Sequence, residues 1–400
     1  MPDRFFHVDS SMALSGPSQA PGAPLVAKFG GAALADGPSV ARACRILAGA
    51  GPGPRIAVVS AIEGITDLLE SLAGGERLDE GLALVRLRHR GVLSQLALDP
   101  ELCDRHLGEL AILLGSLHAR GPAGPTERDH LLSFGERMSA RIVAAALRAM
   151  GVSAAPVDAF DLGLRSDAAL GAAPAAGLAA VRAALERFLE VGAVPVVTGF
   201  LAADAAGRLT TLGRNGSDLS AALIGAALGA REVQFWKAVG GILSADPHVV
   251  PAARPLRRIS YAQAREFGLQ GAKVLHPDAL APLESAGIPA RVLCVEQPED
   301  PGTWIGAEGA GAGPFGIACP PPRTEREDEP ARLALVGGAL QAAEALQCLR
   351  SAGIEASLVQ AEPDPSSAVL SVVAAELARA ARRLHAHFFE APGRPERIAS

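Results

Sequence analysis

Short apolar runs alternate with helical patterns from residue 25 to residue 295, and this alternation limits the possible folds more than any other feature. The runs at Leu25 to Gly30, Arg55 to Ala61, 153–158, 194–200, 232–239 and 289–295 read as strands. Helical periodicity fills the intervals. Three long patterns span 76–97, 101–119 and 126–150, and shorter ones follow at 175–191, 216–229, 260–270 and 277–286. Strands joined by crossover helices form a mostly parallel sheet covered on both faces. Ligands in such α/β sheets sit beyond the carboxyl ends of the strands.

Residues 301–331 differ in kind. They are rich in Gly and Pro, end in the charged run Thr324 to Glu329, and read as a linker. After it come a strand at 332–337, a helix at 339–352, strands at 355–360 and 367–373, a helix at 374–384 and a strand at 386–389. That order, βαββαβ, predicts a ferredoxin-like plait. The first 24 residues mix polar residues, Gly and Pro without a signal-peptide core, and read as a disordered tail; residues 393–400 read as a C-terminal tail.

Composition excludes several classes. A net charge of −6 with interspersed signs gives no basic face for nucleic acid. No apolar run reaches the length of a membrane span. The five cysteines (Cys44, Cys103, Cys294, Cys319, Cys348) are widely spaced, with neither CxxC nor zinc spacing, and read as reduced thiols of the cytoplasm. Lysine occurs only at Lys28, Lys237 and Lys273, whereas arginine supplies the other 34 of 37 basic residues. A chain so biased toward arginine makes its few lysines candidates for places that need a compact ammonium.

Four stretches carry chemistry. Lys28-Phe29-Gly30-Gly31 ends the first strand. It is either an ordinary turn or a place where amides and an ammonium meet phosphate oxygens. In Thr211-Leu212-Gly213-Arg214-Asn215-Gly216-Ser217-Asp218, a glycine turn opens a helix. It is either a capping loop or an anion site, with Arg214 able to clamp a carboxylate and Asp218 able to orient a lysine. In Ser133-Phe134-Gly135-Glu136-Arg137, a glycine inside a helix suggests close approach, and Glu136 could meet an ammonium group. The fourth, Gly271-Ala272-Lys273-Val274-Leu275-His276-Pro277, holds the last lysine. No lysine follows a glycine, so a P-loop is excluded.

Together KFGG, SAIEGIT, SFGER, PVVTGF, TLGRNGSDLSAA and GAKVLHPDAL, in this order, resemble the aspartate kinases of the amino-acid kinase superfamily. The resemblance runs from about Leu25 to Gly302 and resumes from 332 to 390. It implies a three-layer α/β/α catalytic domain over 25–302. A linker over 303–331 would hold the remnant of a first ACT module, and an ACT-type domain would follow over 332–392. It further implies phosphorylation of the L-aspartate side-chain carboxylate by ATP with Mg²⁺, as the first step toward lysine, threonine and methionine. The assembly would be a cytoplasmic homo-oligomer, a dimer. By position, Lys28 and Asp218 are the catalytic pair. Ser60, Thr66, Glu136, Arg214 and Ser217 face the amino acid. Lys28, Gly30, Gly31, Lys237, Asp246 and Lys273 form the nucleotide set, with no protein metal ligands.

The chain departs from the family on the nucleotide side. KFGG is followed by Ala32-Ala33 where the family has Thr-Ser. Lys237-Ala238 stands where it has Thr-Asp, Leu243 where it has Tyr, and His248 where it has Arg. Lys237 is expected to replace the charge lost at His248 and meet a phosphate. Two other readings remain: a catalytically impaired pseudokinase, and a kinase for another acidic amino acid. The usual effector segment is replaced by Ala361-Glu362-Pro363-Asp364-Pro365. Inhibition by lysine or threonine is therefore expected to be weak or absent. Strong inhibition of turnover by either at sub-millimolar concentration contradicts this.

Overall fold

The computed structural model describes residues 22–75, 77–166, 178–238, 240–271, 275–309, 314–319, 329–359 and 367–390. The first strands are β1 (Leu25–Phe29), β2 (Arg55–Val59), β3 (Ala154–Val157) and β4 (Val194–Thr198). A hairpin of β5 (Leu201–Ala203) and β6 (Leu209–Thr211) follows, then β7 (Glu232–Lys237), β8 (Arg258–Ser260), β9 (Ala290–Cys294) and β10 (Thr303–Gly306). The main sheet has the order β3-β4-β2-β1-β7-β9-β10-β8. It is parallel from β3 through β9, and β10 runs antiparallel to β9.

Alternation along the strands explains the two covering layers. Val26, Ile56, Val58 and Val197 face one core, shared with the helices at 178–190, 216–228 and 277–286. Ala27, Phe29, Ala57, Val59 and Val196 face the other, shared with Gly37–Ala48, Ile65–Ala73 and Pro125–Ala149. The expected mostly parallel, helix-covered sheet is present.

The region read as a linker is not one throughout. Thr303–Gly306 forms β10 within the main sheet, so that sheet extends past 302. Gly316–Ala318 forms β11, which pairs with β12 (Pro330–Val336). With β13 (Ala356–Leu358) and β14 (Ala368–Val373) they make a four-stranded antiparallel sheet of order β11-β12-β14-β13. The closing strand expected at 386–389 is instead a π-helical turn, Ala386–Glu390, continuing helix Leu377–His385. The outer place beside β12 is taken from the N-terminal side, by β11. Leu333 and Leu335 of β12 face the small-domain core, whereas Ala334 and Val336 join the core of the main domain. The small sheet thus lies between its own helices and the main domain.

A buried relay crosses that seam. Ser244 and His385 are fully buried, and Ser244 Oγ lies 2.9 Å from His385 Nε2. His385 Nδ1 lies 2.7 Å from Glu390. A carboxylate only accepts, so Nδ1 carries the hydrogen, and in the neutral ring Nε2 accepts from the Ser244 hydroxyl. His385→Ala removes the acceptor for a buried O–H. It is expected to lower the unfolding free energy by about 1–3 kcal/mol, read as an earlier denaturation midpoint; an unchanged midpoint contradicts the assignment.

Candidate active site

The site forms where β1 and β7 end side by side. Lys28 pairs in register with Val58 of β2 and Phe235 of β7. Its strand then breaks at Gly30 and Gly31. A Cβ at Gly30 would lie 3.5 Å from Lys28 Nζ, and one at Gly31 would lie 3.2 Å from the Ala61 carbonyl. The first glycine turn therefore lies against the loop after β2, with little space for larger side chains.

Asp218 enters from the first turn of helix Gly216–Leu228, after a loop in which Gly213 and Asn215 are left-handed. The Lys28 ammonium lies 2.6 Å from Asp218 Oδ1, and the Lys237 ammonium 3.0 Å from Oδ2. Asp218 is 2% exposed and Lys28 6%. Burial acts to raise the Asp218 carboxyl, but Lys28 and Lys237 outweigh it and hold it below the ordinary value. Burial lowers Lys237 from the usual lysine range and Lys28 adds to that, with Asp218 opposing. The motifs pair Lys28 with Asp218, and the two side chains meet. Lys237, expected at a phosphate, bonds the same carboxylate in this structure.

Glu136 closes another side. It is buried in the middle of helix Pro125–Ala149, and one carboxylate oxygen accepts from the Ala61 amide at 3.0 Å. Its other oxygen is buried without a hydrogen-bond partner. Gly135 is explained by the same contact: a Cβ there would lie 2.7 Å from the Ala61 side chain. Burial pushes the Glu136 carboxyl up to about 7, with the Ala61 amide and the Lys28 charge acting the other way.

The remaining candidates divide. Ser217 is buried beside Gly199, where a Cβ would lie 2.6 Å from the Ser217 side chain. Ser60 and Thr66 are half-buried on the loop and helix after β2, and Arg214 is exposed on the loop before Asp218. Asp246 lies apart: its carboxylate accepts from the His248 amide, and its neighbours Ala245 and Val250 pack in the small-domain core. Among the described residues no hydrogen bond or ion pair joins it to Lys28, Asp218 or Lys237. Lys273 lies outside the described residues.

Phe200 and Ser220 are structural members of the site that the sequence did not single out. Phe200 has φ of 68°, a strained conformation for a bulky residue. Its amide donates to Ser220 Oγ, which in turn donates to the Gly216 carbonyl. That link ties the end of PVVTGF to the helix start carrying Asp218. Both residues sit within quoted motifs, but neither residue type signals a positive φ or a bridging hydroxyl.

Residues 23–294 match the family model described as the amino acid kinase family. Over 297 residues the chain is 35% identical to aspartokinase 1, chloroplastic, of Arabidopsis thaliana, covering 71% of this chain and 52% of that protein. It is 35% identical over 294 residues to lysine-sensitive aspartokinase 3 of Escherichia coli (strain K12), covering 70% and 64%. The chain spans about half the length of the Arabidopsis relative. The crystal structure of E. coli aspartokinase III in complex with aspartate and ADP (R-state) matches with a TM-score of 0.77 at 26% identity, covering 91% of this chain and 99% of that one.

The state of Glu136 gives a pH test. A carboxyl whose folded pKa exceeds its unfolded value favours the fold below the unfolded value, and this contribution is lost as pH rises through the folded one. The rise from 4.5 to about 7 corresponds to roughly 3 kcal/mol. Wild type is expected to lose stability relative to Glu136→Gln as pH rises over that interval. Parallel stability curves for the two proteins would falsify the assignment.

Proposed function

The chain belongs to the amino acid kinase family, and on that premise we propose that it transfers the γ-phosphoryl group of ATP to the side-chain carboxylate of L-aspartate, giving 4-phospho-L-aspartate. The observation that carries the reading is the buried Lys28–Asp218 ion pair at the carboxyl edge of the sheet, with Glu136 beside it. The relatives named aspartokinases and the matched structure with aspartate and ADP support it.

The chemistry fits the residues. A carboxylate is already a nucleophile near neutral pH, so the reaction needs no general base. The obstacle is bringing two anions together, and phosphoryl transfer is mostly positioning and charge neutralisation. Lys28, held by Asp218, supplies a fixed positive charge. The Gly30-Gly31 turn and the start of helix Gly216–Leu228 offer backbone amides to phosphate oxygens. Glu136 has a free oxygen for the substrate ammonium, and Arg214 has the fork geometry for its α-carboxylate. Ser60, Thr66 and Ser217 would line the amino-acid side.

Mg²⁺ would neutralise charge on the β- and γ-phosphates. Among the described residues no group of three or more His, Cys, Asp or Glu suits a metal ion, and Asp218 is committed to two lysines. The ion would therefore keep phosphate and water ligands.

The small C-terminal domain is read as an ACT-type regulatory module, and the assembly as a homodimer. A cytoplasmic setting belongs to the same reading, supported by five unpaired cysteines. No described helix is long and apolar enough to cross a membrane.

Incubation with ATP, aspartate and hydroxylamine is expected to yield the hydroxamate that traps an acyl phosphate. Lys28→Met is expected to lower its rate by about a hundredfold to a thousandfold, and Arg214→Ala to raise the KM for aspartate. Turnover only with another amino acid would move the assignment to that acceptor. An inert wild type with every acceptor would favour the pseudokinase, which the Lys237-Ala238 replacement invites.

A further inference from the structure

We propose that Lys237 is a second phosphate-directed ammonium, held on Asp218 until a nucleotide binds and then sharing the γ-phosphate with Lys28, so that the site distinguishes ATP from ADP. This deepens the kinase reading and rests on it.

Lys28 and Lys237 share one carboxylate, Asp218, so the cluster carries one positive charge more than its carboxylate can balance. Among the described residues Lys237 has no other acidic partner. Glu136, the other nearby carboxyl, is pushed toward its neutral form by burial. A largely buried ammonium in excess is costly unless an anion joins it. The Lys237 side chain retains 19% exposure, against 8% for Lys28, so it is the more open of the two.

Topology supplies the direction. β1 and β7 are adjacent and parallel, so both lysines leave the sheet at the edge where ligands of such folds collect. Beyond Lys237 the chain continues into Ala238, where the resembled pattern has an acid. No carboxylate therefore stands at the next position to offset its charge. Lysine is also scarce here: of 37 basic residues three are lysines, and two of those three meet on one oxygen pair. A purely supporting cation could as well be arginine, which holds a carboxylate with two parallel bonds. A single-point ammonium can leave one acceptor for another, and this role requires that transfer.

The test uses the full chain and calorimetry with ATP, ADP and adenosine. Lys237→Met is expected to weaken ATP by about tenfold or more, as loss of one charged contact in a largely buried site would. ADP should weaken by less than about threefold on the same grounds, and adenosine should be unchanged. Lys237→Arg, which keeps the charge, should restore part of the difference between ATP and ADP. A supporting role alone would weaken both nucleotides equally or neither, and either result overturns the proposal.

A second measurement needs no variant. With so few lysines, acetylation of the wild type can be read site by site by mass spectrometry. ATP should protect Lys237 more than ADP does, and equal labelling with both contradicts the proposal. Failure of the acceptor assignment is separate: absence of aspartyl hydroxamate leaves the ATP/ADP ratio intact. A lost ratio with hydroxamate still forming removes Lys237 alone.

Discussion

Asp218 sits dry between two ammonium groups, and the surrounding architecture serves to keep it there. A buried carboxylate is tolerated only when paired, and removing one partner of such a pair costs far more than the pair contributes. Three chain segments must converge to hold it: the end of β1, the end of β7 and the first turn of helix Gly216–Leu228. Placing β1 beside β7 in the sheet order brings the first two together. The close approach of Gly199 to Ser217, and the Phe200–Ser220–Gly216 links, fix the third. Lys28, Lys237 and Asp218 thus rest on strands and a helix start, with little freedom to drift.

Much of this was legible in the residues. Short apolar runs between helical stretches gave a parallel sheet, because a strand buried on both faces leaves an uninterrupted apolar signature. Lys28 and Asp218 were visible because glycine turns mark where backbone approaches a ligand. The partner of Lys237 was not visible, since local sequence does not state that β7 lies beside β1. The assignment of Asp246 to the nucleotide set likewise came from motif position, and its loop turns toward the small domain instead.

Short elements defeated pattern reading. β10 has four residues and β11 three, and both lie in a stretch whose glycines and prolines suggest a linker. Their pairing is decided by neighbours: Thr303 opposite Val292, and Gly316 opposite Val336. The run Ala386–Glu390 has the apolar and aromatic content of a strand. Yet His385 is anchored between Ser244 and Glu390, and Phe388 is buried in the small-domain core, so the helical path continues. Tertiary contacts override weak local preference there.

The provenance of β11 makes the two parts of the chain inseparable by simple excision. Its central residue, Ile317, donates its amide to the Ser244 carbonyl at 2.7 Å, while the same strand pairs with β12. A gene truncated just after Ala318 would leave a buried apolar strand with no sheet to join. One begun at Pro330 would expose an unpaired flank of β12, a template for self-association. The practical border between the main domain and the C-terminal part runs along a hydrogen-bonded strand, so neither half can be expressed alone without creating a sticky edge.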